Sequence, residues 1–367
     1  MATLRDVLAE RTRPAAPELI ERLENGRIRC LACGHRCRVR PGGEGICRVR
    51  FHKDGRLLVP WGYVGALQVD PIEKKPFFHA FPGHVALSFG MLGCDFHCGY
   101  CQNWLTSQTL RDQDAVSPPR DIRADEIVEL ALRHGAPVVV STYNEPLITS
   151  EWAVEIFRKA RAAGMTCGYV SNGNATPEVL AYLRPHVDLY KIDLKGFDDR
   201  RYRSLGGVLA HVLAAIEETK AMGFWVEVVT LIVPGFNDSD KELEAMAKFL
   251  AGVSREIPWH VTAFHPDYKM NDRGRTPAET LLRAYEFGRE AGLSFVYPGN
   301  LPGRVGDKES TFCHACNALL VQRTGFLVTE NRLVDGSCPD CGASIPGHWG
   351  DRPIRKSVGS GMPEPIV

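Results

Sequence analysis

Cys94, Cys98 and Cys101 stand at C-x3-C-x2-C spacing in the segment Gly93-Cys94-Asp95-Phe96-His97-Cys98-Gly99-Tyr100-Cys101-Gln102-Asn103-Trp104. A loop this tight can turn three thiolates towards one centre. A cubane [4Fe–4S] cluster usually takes four cysteine ligands, so three would leave one iron open to a substrate or cofactor. A structural zinc needs four ligands, and the three cysteines suit it only if His97 joins them. Two other groups are complete fours. Cys313-His314-Ala315-Cys316 and Cys338-Pro339-Asp340-Cys341 are two C-x2-C knuckles with 21 residues between them. That spacing makes a tetrahedral four-thiolate site. The strand-rich link fits a zinc ribbon with structural zinc, or a rubredoxin-like site holding one iron. Cys30, Cys33, Cys37 and Cys47 fall within 18 residues. Zinc is the first reading of this group, and an auxiliary iron–sulfur cluster is its rival.

Eleven of the 12 cysteines lie in these groups; Cys167 alone has no assigned task and suits a buried apolar position. Met1 to Glu10 lacks a basic stretch followed by an apolar one, so a cytoplasmic protein with reduced thiols is expected, and metal sites rather than disulfides. Lys plus Arg and Asp plus Glu are both 44 among 367 residues. With no basic surplus, nucleic acid is not expected as a partner. No apolar run reaches the roughly 20 residues of a membrane span.

The elements that must position these thiols alternate through the middle of the chain. Short apolar runs at 85–89, 137–141, 166–171, 187–194, 224–233 and 260–264 read as strands. Between and after them, 125–134, 147–163, 177 onwards, 208–222, 240–252 and 278–291 read as helices. Six strand–helix units with right-handed crossovers predict a parallel sheet, either doubly wound or an incomplete (β/α)6 barrel. In both, ligands collect at the carboxyl ends of the strands. The expected domains are an amino-terminal four-cysteine region (1–84), the α/β core (85–300), a carboxyl-terminal four-cysteine module (301–350) and a loose tail (351–367). Neither G-x-G-x-x-G after a strand, nor a P-loop, nor a G-x-S-x-G elbow is present.

The three-cysteine loop, with an aromatic residue before its last cysteine at the end of the first strand, resembles that of the radical S-adenosylmethionine (SAM) superfamily. The resemblance implies an incomplete (β/α)6 TIM-like barrel. It also implies a [4Fe–4S] cluster on Cys94, Cys98 and Cys101, whose open iron binds the methionine part of SAM. An electron from a low-potential donor then cleaves SAM to a 5′-deoxyadenosyl radical that removes hydrogen from substrate. The other strand ends supply matching loops. Tyr143-Asn144-Glu145-Pro146 is similar to a Gly-Gly-Glu segment that binds the SAM ammonium, with Tyr143 and Asn144 in place of the glycines. Ser171-Asn172-Gly173 is similar to the Thr-Asn-Gly of glycyl-radical activating enzymes; Val170 replaces an aspartate that helps bind a cation there. Asp193-Leu194-Lys195 resembles a motif in which the acid meets the ribose and the lysine the SAM carboxylate. Ile232, in the apolar run before Pro234-Gly235, would help bed the adenine, and His265 resembles a ribose contact. Tyr100 completes the implied SAM-positioning set.

The full layout adds Cys-Gln-Asn-Trp at 101–104, Phe-His-Pro-Asp-Tyr-Lys at 264–269 and Val-Tyr-Pro-Gly-Asn-Leu-Pro-Gly at 296–303. With both four-cysteine groups it resembles the radical SAM member of the AmmeMemoRadiSam group, related to pyruvate formate-lyase activating enzymes. AMMECR-type and Memo-type proteins are the partners this implies. Three functions follow as expectations: hydrogen abstraction from an unidentified substrate, glycyl-radical formation on a partner protein, or a non-enzymatic metal-binding scaffold. The last predicts no SAM cleavage.

Overall fold

The computed structural model describes residues 3–350, 354–358, 362 and 364–366. Its centre is a sheet of eight strands and a short ninth: β1 (Ala66–Pro71), β2 (Val85–Gly90), β3 (Val138–Ser141), β4 (Thr166–Ser171), β5 (Leu189–Asp193), β6 (Trp225–Ile232), β7 (Trp259–Ala263) and β8 (Val296–Gly299). From β2 to β8 every neighbour is parallel and the spatial order follows the sequence order. A doubly wound sheet must reverse its order at a switch point. This sheet never reverses, so it winds as an open barrel. The architecture is mixed α/β on one large parallel sheet.

The crossover helices are α1 (Ala124–Arg133), α2 (Ser150–Ala162), α3 (Pro177–Leu183), α4 (Leu209–Ala221), α5 (Asp240–Val253) and α6 (Ala278–Glu290). Their ends follow local chemistry. Thr176 accepts a hydrogen bond from Val179 N at 3.2 Å, and Pro177 opens α3 with its fixed φ. Gly164 ends α2 in the left-handed region, φ +78°, which an L side chain would resist. The buried faces of these helices and strands form one core that includes Leu87, Val139, Phe157, Tyr169, Ile192, Val228 and Trp259.

Two strands extend the six expected units. β8 is a seventh parallel strand, and β1 pairs antiparallel with β2. The expected loose tail is corrected for its described part. Glu364 and Pro365 pair with Val69 and Gln68, adding a strand to the sheet edge, because the free side of β1 offers unpaired backbone groups. Residues 351–353, 359–361, 363 and 367 of that segment lie outside the described residues.

Small sheets lie on either side in the sequence. Ile20–Arg22, Ile28–Cys30 and Arg38–Val39 form one before the core. After it, β9 (Thr311–Phe312), β10 (Leu319–Thr324) and β11 (Leu327–Asn331) form another. The second is keyed to the barrel by Arg323, a fully buried cation. Its Nη2 donates to Phe78 O at 2.8 Å and its Nη1 to Thr311 Oγ1 at 2.7 Å, while Nε lies 3.5 Å from the buried Glu73 carboxylate. Among the described residues, no helix is long and apolar enough to cross a membrane.

Candidate active site

At the carboxyl ends of the strands the chain encloses a cavity of about 380 Å³, and Cys94, Cys98 and Cys101 all line it. The loop that carries them leaves β2 at Gly90. A Cβ there would stand 2.2 Å from Thr142 O, so only glycine lets the β2 and β3 ends approach. Cys94 Sγ accepts from Phe96 N at 3.3 Å, and Cys101 Sγ lies 3.1 Å from Ser107 Oγ. Burial pushes all three thiols up, Cys98 to about 12. A cation is what turns such buried thiols into thiolates. The three sulfurs do not converge within 4.8 Å of one another, as ligands of one ion would; the C-terminal four do. His97 is exposed and does not join them. Sulfurs not drawn together as for one ion, a common cavity and hydrogen bonds to sulfur fit a cluster with one iron left open.

Beside the thiols, Tyr100 packs edge-on against Phe236, and its buried hydroxyl has no hydrogen-bond partner. That hydroxyl is a free polar group at the cavity wall. Asn144 is tied back to the cysteine loop: its Oδ1 accepts from Met91 N at 3.0 Å. Tyr143, where the resemblance expects glycine, keeps a glycine-like backbone at φ +68°. Its hydroxyl holds that conformation through Asp70 (2.5 Å), Gln68 (3.1 Å) and Lys75 Nζ (2.9 Å).

Glu145 joins two loops. Its Oε1 accepts from Ser171 Oγ at 2.8 Å and Leu147 N at 3.1 Å; its Oε2 accepts from Asn172 N at 2.7 Å. Burial, then the charge of Asp95, pushes its carboxyl up to about 8. Asn172 Nδ2 in turn donates to Asp95 Oδ1 at 2.7 Å, and Asn174 Nδ2 to Asp95 Oδ2 at 2.8 Å. Asp95 thus links the cysteine loop to the end of β4. Sequence reasoning passed over it, although an acid directly after the first cysteine was visible.

Asp193 lies between two lysines. Lys195 Nζ is 3.1 Å from its Oδ2, and Lys191 Nζ contacts its Oδ1. Burial disfavours the charge on Asp193, but the two cations outweigh it and hold the carboxyl at about 2. Strand alternation puts 191, 193 and 195 on one face, and all three line the cavity. Lys191 was not among the expected residues.

Two expected residues stand elsewhere. Ile232 is fully buried in the core and does not line the cavity; Val229 and Leu231, two residues apart on the strand, do. His265 is half-buried outside it, its Nδ1 3.2 Å from Pro266 O. The cavity's remaining wall comes from residues that strand-end logic did not reach: Lys75 and Phe78 before β2, His260 and Tyr297 on β7 and β8, and Glu309 and Phe326 of the C-terminal module.

In that module the Cys313, Cys316, Cys338 and Cys341 sulfurs all lie within 4.8 Å of one another, with Cys313–Cys341 and Cys316–Cys338 both at 3.7 Å. A four-thiolate ion site is preformed there.

A sequence profile of the radical SAM superfamily matches residues 90–250, the stretch that holds the three cysteines and strands β3 to β6. The chain belongs to the radical SAM superfamily, a class of enzymes working with a [4Fe–4S] cluster and SAM. An uncharacterized protein of Methanocaldococcus jannaschii is 39% identical over 329 residues, 89% of this chain and 97% of that one. A pyruvate formate-lyase-activating enzyme of Staphylococcus aureus is 25% identical over 223 residues, 53% of this chain and 85% of that one. Among solved structures, a domain of pyruvate-formate lyase-activating enzyme from Bacteroides vulgatus aligns at TM-score 0.39 and 19% identity, over 44% of this chain and 98% of that one. A radical SAM methyltransferase from Sphaerobacter thermophilus aligns at TM-score 0.45 and 18% identity, over 65% of this chain and 71% of that one.

Proposed function

We propose that this enzyme cleaves SAM reductively and uses the product radical to remove hydrogen from a substrate seated in the cavity. The carrying observation is that Cys94, Cys98 and Cys101 open on the same cavity as Tyr100, Glu145, Asp193 and Lys195. When bound, the cluster supplies the single electron that breaks the sulfonium bond of SAM. The chain's own residues bind, orient and exclude water. Asp193 stays ionised and is an acceptor for ribose hydroxyls, while Lys195 is a fixed cation for a carboxylate. Asn144, Glu145, Ser171 and Asn172 hold the loop on which the amino end of SAM would rest. The C-terminal module closes the cavity with Glu309 and Phe326 and holds a structural zinc. The division at 1–84, 85–300, 301–350 and 351–367 is proposed on this basis as cover, core, lid and tail.

Similarity to the Staphylococcus aureus activating enzyme supports a second reading, hydrogen abstraction from a glycine of a partner polypeptide. AMMECR-type and Memo-type proteins and a low-potential electron donor are proposed partners on the resemblance of the sequence. The test is anaerobic incubation of the reduced enzyme with SAM and deuterated candidates. Appearance of 5′-deoxyadenosine carrying deuterium from a small molecule supports the first reading; deuterium from a polypeptide supports the second. No 5′-deoxyadenosine at all would refute both and leave the metal-binding scaffold.

A further inference from the structure

The two four-cysteine groups look alike as sequence and differ as structures. A zinc ion with bonds of about 2.3 Å draws its four sulfurs to about 3.8 Å from one another. The C-terminal sulfurs meet this distance. Among the described residues they are the one group of three or more Cys, His, Asp or Glu side chains whose ligand atoms all lie within 4.8 Å. No three of the Cys30, Cys33, Cys37 and Cys47 sulfurs do so, although all four residues are described.

The four are nevertheless gathered round one place. A Cβ on Gly45 would stand 3.7 Å from both the Cys37 and the Cys47 sulfur, so both thiols face the same small space. Cys30 N donates to Cys37 O at 2.9 Å, which ties the first strand end to the loop. Cys33 lies within electrostatic reach of Cys30, Cys37 and Cys47 together. Cys37 Sγ accepts from Ile46 N at 3.5 Å. Four gathered thiols that do not draw together as the ligands of one ion do, one of them already supplied with an N–H donor, match a [4Fe–4S] cluster, which takes its four cysteines on four separate irons. The Cys94, Cys98 and Cys101 sulfurs likewise do not all lie within 4.8 Å of one another.

The group also sits on the catalytic loop. Arg111 Nη1 donates to Cys94 O at 2.7 Å and Phe96 O at 3.1 Å, while its Nη2 donates to Ile46 O at 2.6 Å. One guanidinium therefore spans both cysteine loops. A Cβ on Gly93 would stand 3.3 Å from Cys47 O. His35, between Cys33 and Cys37, places Nε2 3.3 Å from Asp95 O. We propose that Cys30, Cys33, Cys37 and Cys47 hold a second iron–sulfur cluster, of the four-thiolate [4Fe–4S] class, packed directly against the catalytic cysteine loop.

The test is metal and sulfide analysis of the full chain purified without oxygen. About eight iron, about eight sulfide and about one zinc per chain are expected. About four iron with about two zinc would overturn the proposal in favour of zinc. The decisive variant is Cys94→Ala with Cys98→Ala and Cys101→Ala. It should keep about four iron and a reducible cluster signal by electron paramagnetic resonance. A folded triple variant without iron overturns the proposal, whatever the wild type does with SAM. Should that variant not fold, Cys30→Ser with Cys33→Ser gives the reciprocal measurement. It should lose about half of the wild-type iron and retain its zinc; loss of zinc with iron unchanged overturns the proposal.

Discussion

Replacing Glu227 by Gln tests how the floor of the cavity is held. Glu227 is fully buried on β6 and accepts four hydrogen bonds. His79 N and Trp225 Nε1 reach Oε1, both at 3.0 Å; Phe78 N at 3.0 Å and His260 Nε2 at 2.7 Å reach Oε2. Burial disfavours the charge, yet the bond from His260 leads the forces that keep the carboxyl below its usual 4.5. An amide has one oxygen and one NH2 group. With its oxygen facing His79 N and Trp225 Nε1, its NH2 faces Phe78 N and His260. Burial keeps His260 neutral, so the ring can change tautomer and accept. Only the Phe78 N–H is then orphaned, at a cost of about 1–3 kcal/mol. The thermal midpoint should fall by roughly 1–4 °C, read by calorimetry, and 15N shifts of His260 should show the ring nitrogen changing from donor to acceptor. Glu227→Leu orphans all four donors and should cost several-fold more. The sign of the pH dependence follows from the depressed carboxyl. Its contribution is complete above pH 4.5 and is lost as the pH falls through the lower folded value. The gap between Glu227→Gln and wild type should therefore narrow in acid. A Gln variant with unchanged midpoint and unchanged His260 shifts would refute the hydrogen-bond reasoning.

Other outcomes follow from the site. Cys94→Ala with Cys98→Ala and Cys101→Ala should abolish 5′-deoxyadenosine formation; persistent product would place the chemistry elsewhere. Asp193→Asn leaves Lys191 and Lys195 without their shared carboxylate, and the KM for SAM should rise about tenfold, equivalent to about 1.4 kcal/mol, with circular dichroism unchanged; an unchanged KM would remove Asp193 from the SAM site. Tyr143→Phe deletes the hydroxyl shared by Asp70, Gln68 and Lys75 and should lower stability by about 1–2 kcal/mol in chemical denaturation. A neutral result would mean that these three groups do not hold the left-handed backbone. Cys338→Ala with Cys341→Ala should remove about one zinc per chain and lower the thermal midpoint; full zinc retention would contradict the preformed site.

Much of the architecture was legible because it is local. The strand at 166–171 is found where the apolar run lies, and α6 at 278–290 where its amphipathic pattern lies. β8 was harder: Val296-Tyr297-Pro298-Gly299 is only four residues and contains proline, and it becomes a strand through pairing with β7. The strand at Glu364–Pro365 likewise exists only because β1 has a free edge.

At the site, spacing alone showed the three thiols and the complementary fours, since ligands from one loop carry their geometry in the chain. Alternation also placed Asp193 and Lys195 on one face. What sequence could not show was partnership across long separations. Asp95 gains its meaning from Asn172 and Asn174, and Lys191 from burial beside Asp193. Ile232 fails as a cavity residue because the pleat of β6 aims Leu231 inwards instead. Zinc and iron–sulfur readings of Cys30 to Cys47 share one spacing; only the distances between folded sulfurs separate them. The sequence by itself determined the grouping of the cysteines and the order of the strands, which are properties of neighbours. Which side chains share the cavity was decided by tertiary packing, because the cavity joins segments that the chain keeps far apart.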